Sequence, residues 1–232
     1  MKKLWLVGLV AVILCNCSKE NDGNSGSLPP LPDPDDVCSA MDNIEFMNFC
    51  YEKFDANKDG KVSVREAEAV REIAFSKGEG LRGSLKGIER FPNLEILDCD
   101  SYYWASGTWY YKFSFAELDL RYNKMLKEVL LHTCSNLVTL DLSRNTMLEE
   151  LSVYECNALN TLILPENLKK IVGGDCPILQ KIICYAKNPP KGSDPDYYLR
   201  FPEECVVYVP ASSVEAYKTT TFWMKLDIRP LN

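Results

Sequence analysis

The chain has 232 residues, 46% of them hydrophobic and 25% charged, with 26 basic against 33 acidic side chains, ten cysteines and one histidine. The net charge of -7 disfavours nucleic acid as a partner, because phosphates need a basic face, and a single histidine removes multi-histidine metal sites and most histidine-based triads. What remains is a folded body, one domain or one with a small module, long enough to bury a core.

Lys2 and Lys3 precede an apolar run from Leu4 to Leu14. That run is too short to span a bilayer comfortably and has the layout of a secretory signal. Its end, Leu14-Cys15-Asn16-Cys17-Ser18-Lys19-Glu20, resembles a bacterial lipoprotein signal, in which cleavage leaves a cysteine to carry the lipid. Cys17 is the candidate, closing a signal peptide over residues 1–17. Asn16 before it is a poor match to the small residue the pattern wants, and Leu14 before Cys15 is a worse one. An ordinary cleaved signal is the alternative. Residues 18–36 are rich in Ser, Gly, Asn, Asp and Pro and read as a disordered tether. Glu20 and Asp22 resemble the acidic export tag of surface-exposed lipoproteins in some Gram-negative anaerobes, which implies an outer-membrane lipoprotein exposed at the cell surface.

Residues 37–80 carry a calcium motif. Ser39 and Asp42 have capping-box spacing, and Ile44, Met47, Cys50, Tyr51 and Phe54 recur at three and four residues, predicting an amphipathic helix that ends near Phe54. The next twelve residues, Asp55 to Glu66, fit the EF-hand loop at each diagnostic position. Asp55, Asn57 and Asp59 would supply side-chain oxygens, Lys61 its carbonyl, Ser63 a direct or water-bridged oxygen, and Glu66 both carboxylate oxygens to Ca2+. Gly60 permits the sharp bend, and Val62 is the inward apolar residue. Ser63 and Glu66 also have the spacing to cap a following helix, whose Val70, Ile73 and Ala74 share one face. The chain has no second such loop, so a structural ion is expected rather than a paired sensor.

In residues 81–188, Leu118, Val129, Leu140, Leu151 and Leu162 follow one another at 11-residue intervals. The unit Leu137-x-x-Leu140-x-Leu142-x-x-Asn145-x-x-Leu148 is the leucine-rich repeat pattern. Asn and Cys alternate at its ninth position: Asn123 to Asn145 and Cys134 to Cys156 are 22 residues apart, and Cys156 to Cys176 is 20. Two arcs per turn predict short strands on both sides of a thin coil with leucines stacked inside. An inward Asn must satisfy backbone groups, and a thiol fills similar space. Cys99, Cys134, Cys156, Cys176 and Cys184 are therefore expected in the core and unbridged. Cys38 and Cys50, in an exported protein, are either a disulfide or two free thiols. Cys205 has no assigned role.

The segments Phe54-Asp55-Ala56-Asn57-Lys58-Asp59-Gly60-Lys61-Val62-Ser63, Leu85-Lys86-Gly87-Ile88-Glu89 and Leu140-Asp141-Leu142-Ser143-Arg144-Asn145, with Val207 to Lys218 and Trp223, resemble the BspA-like leucine-rich-repeat surface lipoproteins that carry one EF-hand ahead of the repeats. The resemblance covers nearly the whole chain. With the repeat, it implies an α/β leucine-rich-repeat solenoid of short β arcs, about 22 residues per turn, with few helices in the repeats. An α-helical EF-hand would cap its start, and residues 189–232 would cap its end. There a strand over Cys205 to Val209 is expected to precede a helix capped by Ser212 and Glu215. The resemblance also implies protein–protein interaction, with adhesion to host or neighbouring-cell components as one form.

An insertion, residues 98–117, interrupts the repeat with eight aromatics. Tyr102, Tyr103, Trp104, Trp109, Tyr110 and Tyr111 are the ligand-binding candidates, because aromatic faces bury area at low entropic cost. The same aromatics could instead form a seam against the EF-hand helices. Asp98, Asp119 and Asp141 would line one outer face, answered by Arg121, Arg144 or solvent. His132 sits just after a strand with no candidate serine or cysteine nucleophile arrangement beside it and reads as an ordinary surface residue. The expectation is a non-enzymatic binding module, anchored in the membrane by lipid, for a protein ligand. A carbohydrate-binding accessory lipoprotein is the alternative, and no nucleophile–base pair, phosphate loop or paired acids support an enzyme.

Overall fold

Inward apolar residues recur at alternate positions in runs of three to five residues, and between runs an Asn or Cys turns the chain. The computed structural model describes residues 28, 34–75, 83–100, 102–105, 108–111, 113, 115–192 and 201–231. The chain divides into a first unit, Met1–Pro30, where Leu28 is described, and a second, Leu31–Asn232, which holds everything below.

A single 3-10 turn, Val37–Ala40, leads to α1 (Ile44–Phe54), a loop, and the short α2 (Val64–Ala69). The coil then alternates between two parallel sheets. The first runs β1 (Glu72–Ala74), β2 (Ile96–Cys99), β5 (Glu128–His132), β7 (Glu150–Tyr154), β9 (Lys170–Gly174) in spatial order. The second runs β12 (Asp227–Pro230), β11 (Val206–Val209), β10 (Lys181–Cys184), β8 (Thr161–Leu164), β6 (Thr139–Asp141). An antiparallel ribbon of β3 (Tyr102–Ala105) and β4 (Thr108–Tyr111) follows β2. The chain is thus a β-solenoid with few helices, as the two-arc reading expects.

Register explains the leucine spacing. Leu97, Val129, Leu151 and Ile171 are successive partners across the first sheet, and Leu140, Leu162, Ile182, Val207 and Ile228 across the second. All of them are buried. From Val129 to Leu162, eleven residues carry the chain from one sheet to the other and 22 return it to the same sheet one turn on; Leu151 to Ile171 takes 20, Ile182 to Val207 takes 25, and Leu97 to Val129, across the insertion, takes 32. Leu118 and Leu120 bury themselves as an arc would but form no strand.

The ninth position works as expected. Asn145 donates from Nδ2 to the carbonyls of Leu120 and Asn123, both at 2.9 Å. Asn123 donates in the same way to Ile88 at 2.8 Å and Phe91 at 3.0 Å. On the other side of the coil, Cys156 Sγ donates to the Leu131 carbonyl at 3.4 Å. That acceptor stands to Cys156 as Leu120 does to Asn145, so the thiol performs a weaker version of the amide's task. Cys99, Cys134, Cys156, Cys176, Cys184 and Cys205 are all buried and unbridged.

Three local readings need correction. The first helix is capped not by Ser39 and Asp42 but by Asn43, whose Oδ1 accepts from the Glu45 amide at 3.0 Å while its Nδ2 reaches the Ser84 carbonyl at 2.8 Å. The second helix stops at Ala69: the open edge of β2 recruits the next residues as β1, pairing Glu72 with Ile96 and burying Ile73. Tertiary pairing outweighs a weak helical period there. At the far end, α3 (Val214–Lys218) has Ser213 as its N-cap with no side-chain capping bond, and β11 is followed by the unforeseen β12, which pairs with it in parallel. Tyr217 and Trp223 are buried beneath this end, donating to the carbonyls of Ala186 at 2.9 Å and Pro190 at 2.8 Å.

Between the helices and the coil lies a phenylalanine seam. Phe75 packs on Phe49 with ring centroids 4.7 Å apart and on Phe113 at 5.3 Å, and Phe54 meets Phe91 at 5.5 Å. Phe113 and Phe115, from the aromatic insertion, are therefore packing residues. Among the described residues no helix is long and apolar enough to cross a membrane.

Candidate functional site

The loop between α1 and α2 is organised by its own carboxylates. Asp55 accepts from the Asp59 amide at 3.2 Å and the Gly60 amide at 2.9 Å. Asn57 Oδ1 accepts from the Asp59 amide at 2.9 Å, and Asp59 from the Lys61 amide at 3.0 Å. Lys58 and Gly60 take left-handed backbone, with φ of 60° and 83°, which bends the chain around these side chains. Glu66 closes the loop: Oε1 accepts from the amides of Ala56 at 2.9 Å and Asn57 at 3.2 Å. Its Oε2 takes the amide of Ser63 at 2.9 Å and the hydroxyl at 2.8 Å, completing a capping box on α2. Those bonds, led by the Ser63 amide, hold the Glu66 carboxyl below its ordinary pKa.

Asp55, Asn57, Asp59, Lys61 and Ser63 lie on this one loop and Glu66 in the first turn of α2, and they offer the hard oxygens that calcium takes. Among the described residues no group of three His, Cys, Asp or Glu side chains gathers as a metal cluster. Backbone amides occupy the carboxylate oxygens of Asp55, Asp59 and Glu66. An ion would draw on the same oxygens, with Glu66 exchanging its amide partners for the metal.

Two residues outside the motif brace it. Val62, fully buried, accepts from the Val37 amide at 2.9 Å, and its own amide donates to Asp36 Oδ1 at 3.1 Å. Asp36 Oδ2 accepts from the Tyr51 hydroxyl at 2.7 Å. Sequence reading assigned Asp36 to the end of the tether; its only signal there was an acidic residue two before a buried cysteine. A cleft of about 330 Å3 opens beside the loop, lined by Phe54, Glu66, Val70 and Arg71 among others.

The aromatic candidates form the β3–β4 ribbon, with Tyr102 opposite Tyr111, Tyr103 opposite Tyr110 and Trp104 opposite Trp109. Their side chains lie outside the described residues, as do Cys17 and the rest of the signal. The proposed acidic face does not form: Asp98 is in β2 of the first sheet, Asp141 in β6 of the second, and Asp119 is held bidentately by Arg121 at 2.9 and 2.7 Å. That side-chain hydrogen bond lowers the Asp119 pKa, while burial raises that of Asp98.

His132 is not an ordinary surface residue. Its Nε2 is 2.7 Å from Ser152 Oγ, its Nδ1 is 3.0 Å from Asp100 Oδ1, and its ring meets Tyr154 edge-on at 5.9 Å. The register signal was present, since Leu130 pairs with Ser152 and His132 with Tyr154, which makes His132 and Ser152 diagonal neighbours. The three groups have the order of a hydrolytic relay, but Ser152 is only 6% exposed and the β7 backbone is committed to ladders on both sides. A nucleophile needs an open face and donors for an oxyanion. The trio instead ties β2, β5 and β7 together across the outer face of the first sheet.

No protein-family model matches the chain, and no curated protein matches it. Among solved structures it is similar to an internalin (inlF) from Listeria monocytogenes, at 16% identity over 89% of this chain and 79% of that one, with a TM-score of 0.29. The strand order and register above, rather than that likeness, define the fold.

Proposed function

We propose that this protein is a non-enzymatic, surface-exposed binding module: an exported lipoprotein, anchored through Cys17, that engages a protein ligand by its aromatic ribbon. The observation that carries this reading is the ribbon itself. It departs from the solenoid directly after β2, with Tyr and Trp at six of its eight strand positions, while Phe113 and Phe115 behind it are buried in the seam. The interior of the coil is filled with leucine, so recognition falls to its outer faces and to such an insertion. A leucine-rich coil of this kind is compatible with protein–protein interaction, though fold alone names no ligand.

The loop at Asp55–Glu66 is proposed to hold one structural Ca2+ through Asp55, Asn57, Asp59, the Lys61 carbonyl, Ser63 and Glu66. Bound there, the ion would fix the loop against the Asp36–Val37 brace and rigidify the first cap. Calorimetric titration with calcium tests the site directly, since absence of binding at millimolar calcium would refute it.

The test of function is a binding screen of residues 18–232, with calcium, against matrix proteins and glycans. It is run beside a Trp104→Ala/Trp109→Ala variant whose circular dichroism matches the parent. Protein hits lost in the variant support the reading. Glycan hits lost in the variant support the carbohydrate-binding alternative, which the same aromatic-rich ribbon favours. Hits that survive the substitutions refute a role for the ribbon.

A further inference from the structure

Cys38 lies in the 3-10 turn Val37–Ala40, and Cys50 lies in the last turns of α1. Both are fully buried free thiols, twelve residues apart in sequence, and the Cys38 thiol lies near enough to act on the titration of Cys50. The backbone around them is pinned from three directions. Asp36 Oδ1 accepts from the Cys38 amide at 3.0 Å, Asp36 Oδ2 accepts from the hydroxyl of Tyr51, next to Cys50, at 2.7 Å, and the Val37 amide donates to Val62 at 2.9 Å. The turn and the helix that carry the two cysteines are thus held together by bonds that neither thiol makes.

We propose that Cys38 and Cys50 form a disulfide in the mature protein, stapling the turn that braces Val62 to α1. The chemistry is thiol–disulfide exchange. One thiolate attacks a donor disulfide and displaces a thiol, and the second then attacks the mixed disulfide. Overall, the two cysteines lose two protons and two electrons and the donor disulfide becomes two thiols. The donor in the cell is a protein disulfide of the export compartment, which rests on the proposed export; oxidised glutathione supplies the same exchange in vitro whether or not the protein is exported.

The same burial fixes when the bond forms. Desolvation and the neighbouring Cys38 thiol push the Cys50 pKa up, so the folded cap holds the Cys50 thiol protonated and both sulfurs out of reach of an oxidant. Exchange therefore belongs to folding, before the cap closes, and the finished bond is shielded from reductant.

The stacked thiols of the coil differ. Cys134, Cys156 and Cys176 also neighbour one another, but Cys156 donates to the Leu131 carbonyl at 3.4 Å and Cys176 to the Gly174 carbonyl at 3.4 Å. Bridging any two of them would take those donors from buried carbonyls. Contact between sulfurs is common to both groups; a turn that needs no thiol donor is found at Cys38 and Cys50.

The experiment is to refold residues 18–232 from denaturant with a mixture of oxidised and reduced glutathione, then block free thiols with iodoacetamide in denaturant without reductant. Peptide mass spectrometry should find the Cys38 and Cys50 peptides joined, two mass units below the sum of the reduced pair, and the other six described cysteines alkylated. The oxidised protein should melt roughly 5–10 °C above protein refolded with dithiothreitol. A Cys38→Ala/Cys50→Ala variant should show no difference between the two preparations. Finding Cys38 and Cys50 alkylated after oxidative refolding, or joined to coil cysteines, overturns the proposal, and the mass readout holds even if the variant fails to fold.

Discussion

Asn145 holds the carbonyls of Leu120 and Asn123 from inside the coil, and neither carbonyl has access to water in its place. Asn145→Ala leaves both without that donor. Each carbonyl keeps one backbone donor, the amide of Asn123 at 3.0 Å and that of Leu126 at 3.3 Å, so two lost hydrogen bonds at about 0.5–1.5 kcal/mol each predict a loss of about 1–3 kcal/mol in urea unfolding. Cys156→Ala removes a weak sulfur donor and a small volume, so about 1 kcal/mol is expected in the same measurement. Glu66 gives a pH signature. Its folded carboxyl titrates below the ordinary value of 4.5, so the stability it contributes is complete above that pH and is lost as pH falls through the lower folded value. In calcium-free buffer the melting temperatures of the parent and Glu66→Gln should therefore differ at pH 7 and converge as pH falls below about 4.5. If the proposed calcium draws on both Glu66 oxygens, the gap should widen in millimolar calcium at neutral pH, with calcium affinity falling at least about tenfold in Glu66→Gln.

At the scale of elements, each end of the coil closes with structure that the repeat itself does not encode. β1 covers the edge of β2, and β12 extends the second sheet past β11, so that the last turn is not left open. Beneath the second end, Trp223 is fully buried, packs on Tyr217 at 5.3 Å and donates to Pro190. Trp223→Ala should cost about 3–5 kcal/mol in chemical denaturation. Gly173 makes a sharper local test. A Cβ there would sit 2.4 Å from the Phe201 ring, which is itself buried, so Gly173→Ala should destabilise by about 1–3 kcal/mol through overpacking.

Across the whole molecule, one continuous apolar core runs from Val37 through the coil to Ile228. Solenoids transmit stability between neighbours, so the joint between the helical cap and the first turns decides whether both unfold together. Phe75 is that joint, touching Phe46, Phe49 and Phe113. Phe75→Ala should cost about 3–5 kcal/mol and split a single calorimetric transition into two, the first belonging to the cap. The two-sided coil was legible in the sequence because inward leucines at 11-residue spacing, with an Asn or Cys at the turn, leave few other ways to bury those residues. That a bend braced by its own side chains separates two helices between Phe54 and Val64 was legible too, since the spacing there is local. Contacts between residues far apart in the chain were not. That Asp36 braces Val62, that Cys38 faces Cys50, and that His132 joins Asp100 to Ser152 all depend on register and cap placement. So did the fate of Ile73 and Asp227, which became edge strands because an open sheet offers hydrogen bonds that no local propensity predicts. Periodic burial is written into the chain itself; the partners at each end and on each face were decided only when the coil closed.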